Sequence, residues 1–239
     1  WDFIGGISLK KYGDLVGGGN IGKQTPTKYN EINYDLKTRI KINNQSELIY
    51  SSQNTIQKNV PIYHKIALEN FKTNHIDYQV RYLNYLKYKY TSNQKWISEI
   101  IINASTQRTI EQRSIQKNNS SVFRNETDTV KNIGLTAEIV SKPNKNWTMN
   151  SGFDYYKDEI FSEAIETSSE LNTQVLKRGL YPNGSIYKNS SLFNIHNLNF
   201  NKLNIVAGLR YNFLHIQMNE LTLGNIAIKP SALVSNFGF

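Results

Sequence analysis

Four histidines, His64, His75, His196 and His215, are the side chains of this 239-residue chain whose ordinary titration falls near neutral pH. Their spacing fits no HExxH zinc helix. No GxSxG elbow places a nucleophile, and no cysteine supplies a thiolate. Asp158 and His64 are the conceivable acid–base partners of a surface hydrolase, but no motif joins them. "GGGNIGKQ" comes within one residue of a phosphate loop: Gly17 and Gly22 with Lys23 are in place, yet Gln24 stands where a Ser or Thr must reach Mg²⁺. The following Pro26 opposes the helix such a loop opens, so these glycines are expected to fold a tight loop instead. The residues best suited to contacting a ligand are Tyr63 and His64 in "VPIYHKI", His75 within the same connection, and Arg178 and Tyr181 in "RGLYPNG". His64 and His75 offer imidazole nitrogens to a metal, and Arg178 offers a fork of N–H donors to a carboxylate. No catalytic residue, resident metal or cofactor is expected.

The elements that carry these residues are strands. In "YNEINYDLKTRIKI", residues 29–42, Ile32, Tyr34, Leu36, Ile40 and Ile42 occupy even positions, while Glu31, Asn33, Asp35, Lys37, Arg39 and Lys41 occupy odd ones. Alternation of period two gives a strand with one apolar and one charged face. The pattern recurs in "IDYQVRYLNYLKYKY", "NIGLTAEIV", "WTMNSGFDYY" and "LNIVAGLRYNF", for about ten strands in all, and helical periodicity is not convincing anywhere. Twelve residues at about 3.3 Å each, tilted by roughly 40°, climb about 30 Å, the thickness of a bilayer's hydrocarbon. Strands of soluble sandwiches usually run only about 5 to 6 residues.

Composition points the same way. Hydrophobic residues make up 38%, mean hydropathy is -0.53, and tyrosine reaches 15. Amphipathic aromatics on a chain of low hydropathy suit a membrane β-barrel better than a compact soluble core. Absence of an apolar run of about 18 residues excludes transmembrane helices. The formal charge of +9 comes from 28 cations interleaved with 19 acids, which argues against a nucleic-acid partner. Absence of cysteine is compatible with an oxidising compartment. The chain opens at Trp1 without a leader pattern, so a signal is expected to have been removed or to lie outside this stretch.

Short connections, "NNQ", "TSNQK", "SKPNKN" and "NK", alternate with long ones, "GDLVGGGNIGKQTPT", "NVPIYHKIALENFKTNH", "SIQKNNSSVFRNETDT" and "ETSSELNTQVLKRGLYPNGSIYKN". All short turns then lie on one rim and all long loops on the other, the layout of an outer-membrane barrel with periplasmic turns and extracellular loops. The even face of residues 29–42 would meet lipid. Glu31, Asn33, Asp35, Lys37, Arg39 and Lys41 would face the lumen.

The stretches "KKYGDLVGGG", "TKYNEINYDLKTRIKI", "NVPIYHKI", "WTMNSGFDYYKDEI", "RGLYPNGSIY" and "LNIVAGLRYN" resemble TonB-dependent outer-membrane receptors, nearest to those for haem and other iron sources. The resemblance implies an all-β, antiparallel transmembrane barrel of 22 strands, of which residues 1–239 supply about ten, with the plug domain and the other strands outside this chain. It implies localisation in the bacterial cell outer membrane and contact with outer-membrane lipid. It also implies energy coupling through the TonB complex by way of the plug, and uptake of haem, a siderophore or another ferric chelate at Tyr63, His64, His75, Arg178 and Tyr181. The reading that stays open beside it is a complete ten-stranded barrel acting as a porin or surface hydrolase. "SALVSNFGF" ends in phenylalanine as complete barrels often do, and an even strand count returns both termini to one rim.

Overall fold

The computed structural model describes residues 1–220 and 222–239. Its strands are β1 (Asp2–Tyr12), β2 (Leu15–Gly17), β3 (Gly22–Gln24), β4 (Tyr29–Lys41), β5 (Ser46–Pro61), β6 (Phe71–Thr91), β7 (Glu99–Lys117), β8 (Val122–Asn144), β9 (Trp147–Ser168), β10 (Thr173–Arg178), β11 (Ser185–Phe200), β12 (Leu203–Glu220), β13 (Gly224–Ile228) and β14 (Ser231–Gly238). One short helix, α1 (Tyr63–Ala67), lies between β5 and β6.

Twelve of these strands form one antiparallel sheet in the order β1-β4-β5-β6-β7-β8-β9-β11-β12-β13, with β10 beside β9 and β14 beside β12. Because β13 and β14 pair with successive stretches of β12, they act as one interrupted strand, and the path is ten strands wide. The outermost strands β1 and β13–β14 do not pair with each other, so the sheet is an open wall. A closed ten-stranded barrel would need that pairing. β2 and β3 make a separate two-stranded ribbon out of the glycine-rich segment, with Gly19 and Gly22 at φ 60° and 66°. Glycine alone reaches those angles without a Cβ penalty.

Among the described residues the buried apolar side chains are only Val80 and Ala164, each 1% exposed. A soluble chain of this length would bury a large apolar set; here the apolar residues line one face of the wall and stay exposed, among them Ile32, Leu36, Ile40, Ile133, Leu135, Ile139, Leu209 and Phe213. The opposite face carries the polar residues and holds many of them buried, including Glu31, Ser51, Glu126, Asp128, Ser162 and Ser191. An apolar face of this extent is stable only against lipid or a second apolar layer.

Ile32 on β4 is linked through the apolar Ile56, Val80 and Ile110 to Thr129 on β8, where the alternating apolar run begins four residues later, at Ile133. At the short-turn rim, Trp96 and Trp147 meet edge to face with ring centroids 6.1 Å apart, and Trp147 Nε1 donates to His196 Nδ1 at 3.1 Å. These rings cluster beside the short turns, at the end of the apolar face. His215 lies opposite Lys188 on the same outer face.

The short turns are built by asparagine. Asn43 Oδ1 accepts from the backbone N–H of Gln45 and of Ser46 at 2.9 and 2.8 Å, and Asn201 takes φ 47° in the two-residue turn between β11 and β12. Asparagine tolerates the left-handed region and bonds its own backbone two residues on. The other rim differs from the alternation read in the sequence. Most of "SIQKNNSSVFRNETDT" is strand, since β7 runs to Lys117 and β8 starts at Val122. β5 and β6 likewise absorb both ends of "NVPIYHKIALENFKTNH", and the segment after β9 folds back as β10. Cross-strand pairing in long hairpins stabilises segments whose polar composition alone reads as loop.

Candidate functional site

The loop-side half of the wall, above the apolar stretch, holds every residue singled out for ligand contact, in two separate groups. Tyr63 and His64 lie on α1, with His64 exposed. His75 lies on β6, beyond the connection in which the sequence placed it. Its Nε2 pairs with Asp77 Oδ1 at 2.7 Å and its Nδ1 meets Thr73 Oγ1 at 2.8 Å, so both ring nitrogens are occupied. Ser114 Oγ donates to the other oxygen of Asp77 at 2.6 Å. Asp77 sits at a bulge where the register of β6 against β7 shifts between Ile76 and Tyr78, and the bulge aims its carboxylate sideways along the sheet. His75 is therefore held as a hydrogen-bonded structural group, and metal ligation through it requires breaking one of these contacts.

Arg178 and Tyr181 belong to the connection between β9 and β11. Arg178 donates from Nε and Nη2 to Glu220 Oε2 at 3.2 and 2.9 Å, so its fork is spent within the protein. Tyr181 exposes its ring, while its backbone N–H donates to Ser162 Oγ at 3.0 Å. β7, β8 and β9 stand between this group and β6, so four strand spacings, about 19 Å along the sheet, separate it from His75. Asp158 accepts from Asn132 Nδ2 at 2.5 Å, and β7 and β8 stand between its strand and β6, so it forms no dyad with His64.

The clearest recess on this rim is a cavity of about 500 Å³ between the β1–β4 and β5–β6 connections. Its lining includes Lys11, Lys28, Lys72, Tyr12, Tyr29 and His75. Tyr12 and Tyr29 are cross-strand partners whose rings stack at 4.5 Å, forming a flat aromatic wall. Among the described residues, Lys11, Lys28 and Lys72 have no ion-pair partner, so their charges are available to an anion. The floor of the adjoining connection is fixed by Asp14. The Thr27 backbone N–H, followed by the Thr25 hydroxyl, holds the Asp14 carboxyl down at about 2. Lys28 N–H also donates to Asp14 Oδ1, at 3.1 Å.

Glu31, Asn33, Asp35, Lys37, Arg39 and Lys41 share the polar face of β4. Glu31 accepts from Lys10 Nζ at 2.8 Å, Asn33 Nδ2 at 2.7 Å and Gln57 Nε2 at 2.8 Å, which ties β1, β4 and β5 together on that face. Arg39 donates to Asp2, while Lys37 lies opposite Ser51 and Asp35 opposite Gln53. The same face carries a larger network that residue types alone did not disclose. Gln79 donates to Glu111 at 3.1 Å, Arg113 pairs with Glu111 and reaches Glu126 at 3.7 Å, and Arg124 donates to Glu126 at 2.7 Å and to Glu166 at 3.0 Å. Arg124 Nη2 also donates to the Arg178 carbonyl at 2.7 Å, so the network holds the β10–β11 connection in place. The sequence signal was the run of odd-position charges in β7 and even-position charges in β8, concealed because that segment read as loop.

Comparison with known proteins bears on the fold. No protein-family model and no curated protein matches the sequence. Among solved structures, the copper transporter OprC matches with a TM-score of 0.80 at 9% identity, over 98% of this chain and 36% of that one. The chain has the fold of a TonB-dependent receptor barrel. The unliganded ferric citrate transporter FecA matches at 0.65 with 10% identity over 89% of this chain and 33% of its own. The ferric yersiniabactin uptake receptor FyuA from Yersinia pestis matches at 0.57 with 9% identity over 98% and 38%. The chain thus spans about a third of the length of these receptors.

Proposed function

We propose that this chain is part of the barrel wall of an outer-membrane receptor that takes up a scarce metal complex, energised through TonB by way of a plug domain outside the chain. The observation that carries this reading is a coreless ten-strand wall with one polar and one apolar face, superposable over nearly its whole length on receptor barrels. Three neighbours named as transporters or uptake receptors, for copper, ferric citrate and ferric yersiniabactin, support uptake as the activity class. The wall performs no chemistry in this reading. Its loop-side rim selects the ligand and its polar face hydrates the passage.

The cavity beside Tyr12 and Tyr29 favours an anionic, partly aromatic cargo. Three lysines attract carboxylates and the stacked tyrosines offer a face for a conjugated ring. Haem and a carboxylate-bearing ferric chelate both fit that description, and haem contact here would run through its propionates, since both nitrogens of His75 are engaged. The test is growth of a strain deleted for the full gene on haem, ferric citrate or copper as the sole source of the metal, with complementation by the wild-type gene and by K11Q/K28Q/K72Q. Loss of growth on one anionic source, restored by the wild type and at least tenfold less by the triple variant, is the expected result. Unimpaired growth of the deletion on every source overturns the uptake reading.

A further inference from the structure

Polar side chains interrupt the apolar face of the wall. Ser52 on β5, Asn84 on β6 and Thr106 on β7 are successive cross-strand partners, flanked in the same row by Leu36 on β4 and Ile133 on β8. All three occupy outward positions, because they share the parity and the unbroken register of Ile56, Val80 and Ile110. On β6, Asn84 has apolar or aromatic outward neighbours on both sides, Val80 and Tyr82 toward the loops, Leu86 and Tyr88 toward the short turns. In a membrane-spanning wall Asn84 therefore lies within the hydrocarbon, not at its border.

A primary amide at that depth needs hydrogen-bond partners from protein, because lipid chains offer none. Asn84 Oδ1 accepts from the Tyr50 hydroxyl at 2.9 Å, and Ser52 Oγ accepts from Asn54 Nδ2 at 3.0 Å. Among the described residues, Asn84 Nδ2 and the Thr106 hydroxyl make no hydrogen bond. The surface beside Asn84 is also uneven. On its β7 side a recess of about 400 Å³ is lined by the small Ala104 and Thr106, with Leu86, Ile133 and Leu135 around them. On its β5 side stands the exposed ring of Tyr50.

We infer that a second copy of this protein packs against this face within the membrane, on a two-fold axis that runs along the membrane normal past Asn84. Such an axis sets Asn84 against Asn84. A primary amide is self-complementary: each Nδ2 donates to the other copy's Oδ1, whose second lone pair is free beside the Tyr50 bond. The same axis places the β5 side of one copy against the β7 side of the other, so each Tyr50 ring approaches the other copy's recess at Ala104 and Thr106. Lipid chains can fill the recess but leave the amide donors unpaired, whereas a second copy answers both. This inference rests on the membrane-spanning reading.

The test uses the full-length protein. Asn84→Cys, oxidised in isolated outer membranes, should give a disulfide-linked species of twice the monomer mass, because residues on the axis come within disulfide reach. Leu192→Cys, outward on β11 and four strands away, and Thr136→Cys, on the polar face, should give less than a tenth as much. In neutral detergent, Asn84→Leu should raise the dimer dissociation constant at least tenfold by sedimentation equilibrium, while Leu192→Ala leaves it unchanged. Equal cross-linking of Leu192→Cys overturns the proposal, as does cross-linking of Asn84→Cys to a protein of another mass or an unchanged constant in Asn84→Leu. A protein extracted from outer membranes that stays monomeric at every concentration and does not cross-link refutes this inference alone. Recovery without detergent in the soluble fraction refutes the membrane reading as well.

Discussion

Gly179, in the connection that presents Arg178 and Tyr181, has almost no free space. A Cβ built on it would lie 2.6 Å from the Glu163 nitrogen and 2.7 Å from the Ser162 carbonyl carbon, and would also run into Ser162 Oγ. The first two are backbone atoms of β9, held by the ladder to β8, so the connection must move and not the strand. A shift of roughly 1 Å stretches the Tyr181 N–H bond to Ser162 Oγ, now 3.0 Å, and the Arg124 bond to the Arg178 carbonyl, now 2.7 Å. Overpacking of this kind costs about 1–3 kcal/mol and each lost hydrogen bond about 1 kcal/mol. A local destabilisation of about 2 kcal/mol raises the population of the opened connection about thirtyfold. Trypsin reads that population at Lys177 and Arg178 when reclosing is faster than cleavage. In full-length protein in detergent, Gly179→Ala should speed cleavage there about thirtyfold, followed by mass spectrometry of the released ends. Gly13→Ala, where a Cβ meets nothing within 4 Å, should not change it. Unchanged cleavage in Gly179→Ala, or equal acceleration in Gly13→Ala, would refute the argument.

Leu135 and Thr136 are neighbours on opposite faces of β8, so Leu135→Arg should cost about 2–4 kcal/mol in chemical unfolding from lipid vesicles while Thr136→Arg costs under 1 kcal/mol; the reverse order would exchange the two faces. Arg124→Ala leaves the largely buried Glu126 without its 2.7 Å donor and releases the Arg178 carbonyl, and should lower stability by about 2 kcal/mol, measured by the same unfolding. The Asp14 carboxyl is held at about 2 against an ordinary 3.8, so the contribution of the folded state to this connection is complete above pH 4 and falls away as pH drops through 2. Amide exchange should show the protection of Thr27 and Lys28 declining over that window, and Asp14→Asn should remove the pH dependence. Protection of these amides that stays constant from pH 5 to pH 2 in the wild type would contradict that assignment.

Period-two alternation was sufficient to place the spanning strands. Ile32, Tyr34, Leu36 and Ile40 against Glu31, Asp35, Lys37 and Arg39 define a wall with two unlike faces whatever it pairs with, because successive side chains of a strand point to opposite sides. The short turns were legible too, since Asn43 bonds the backbone of its own turn and Asn201 takes the left-handed conformation that asparagine tolerates. What the tertiary structure decided is everything that depends on register. Long-range pairing carried β7 to Lys117 and β8 back to Val122, although neither segment's composition distinguishes strand from loop. Asp77 at its bulge and Thr73 engage the two nitrogens of His75, and the Arg178 fork donates to Glu220, contacts that the residue types alone do not announce. Conversely, Arg108 and Lys131, and Lys157 and Lys188, are tens of residues apart in the chain and mean nothing there. They become one row of neighbouring cations only when cross-strand register sets them face to face, because charge acts through space and not along the sequence.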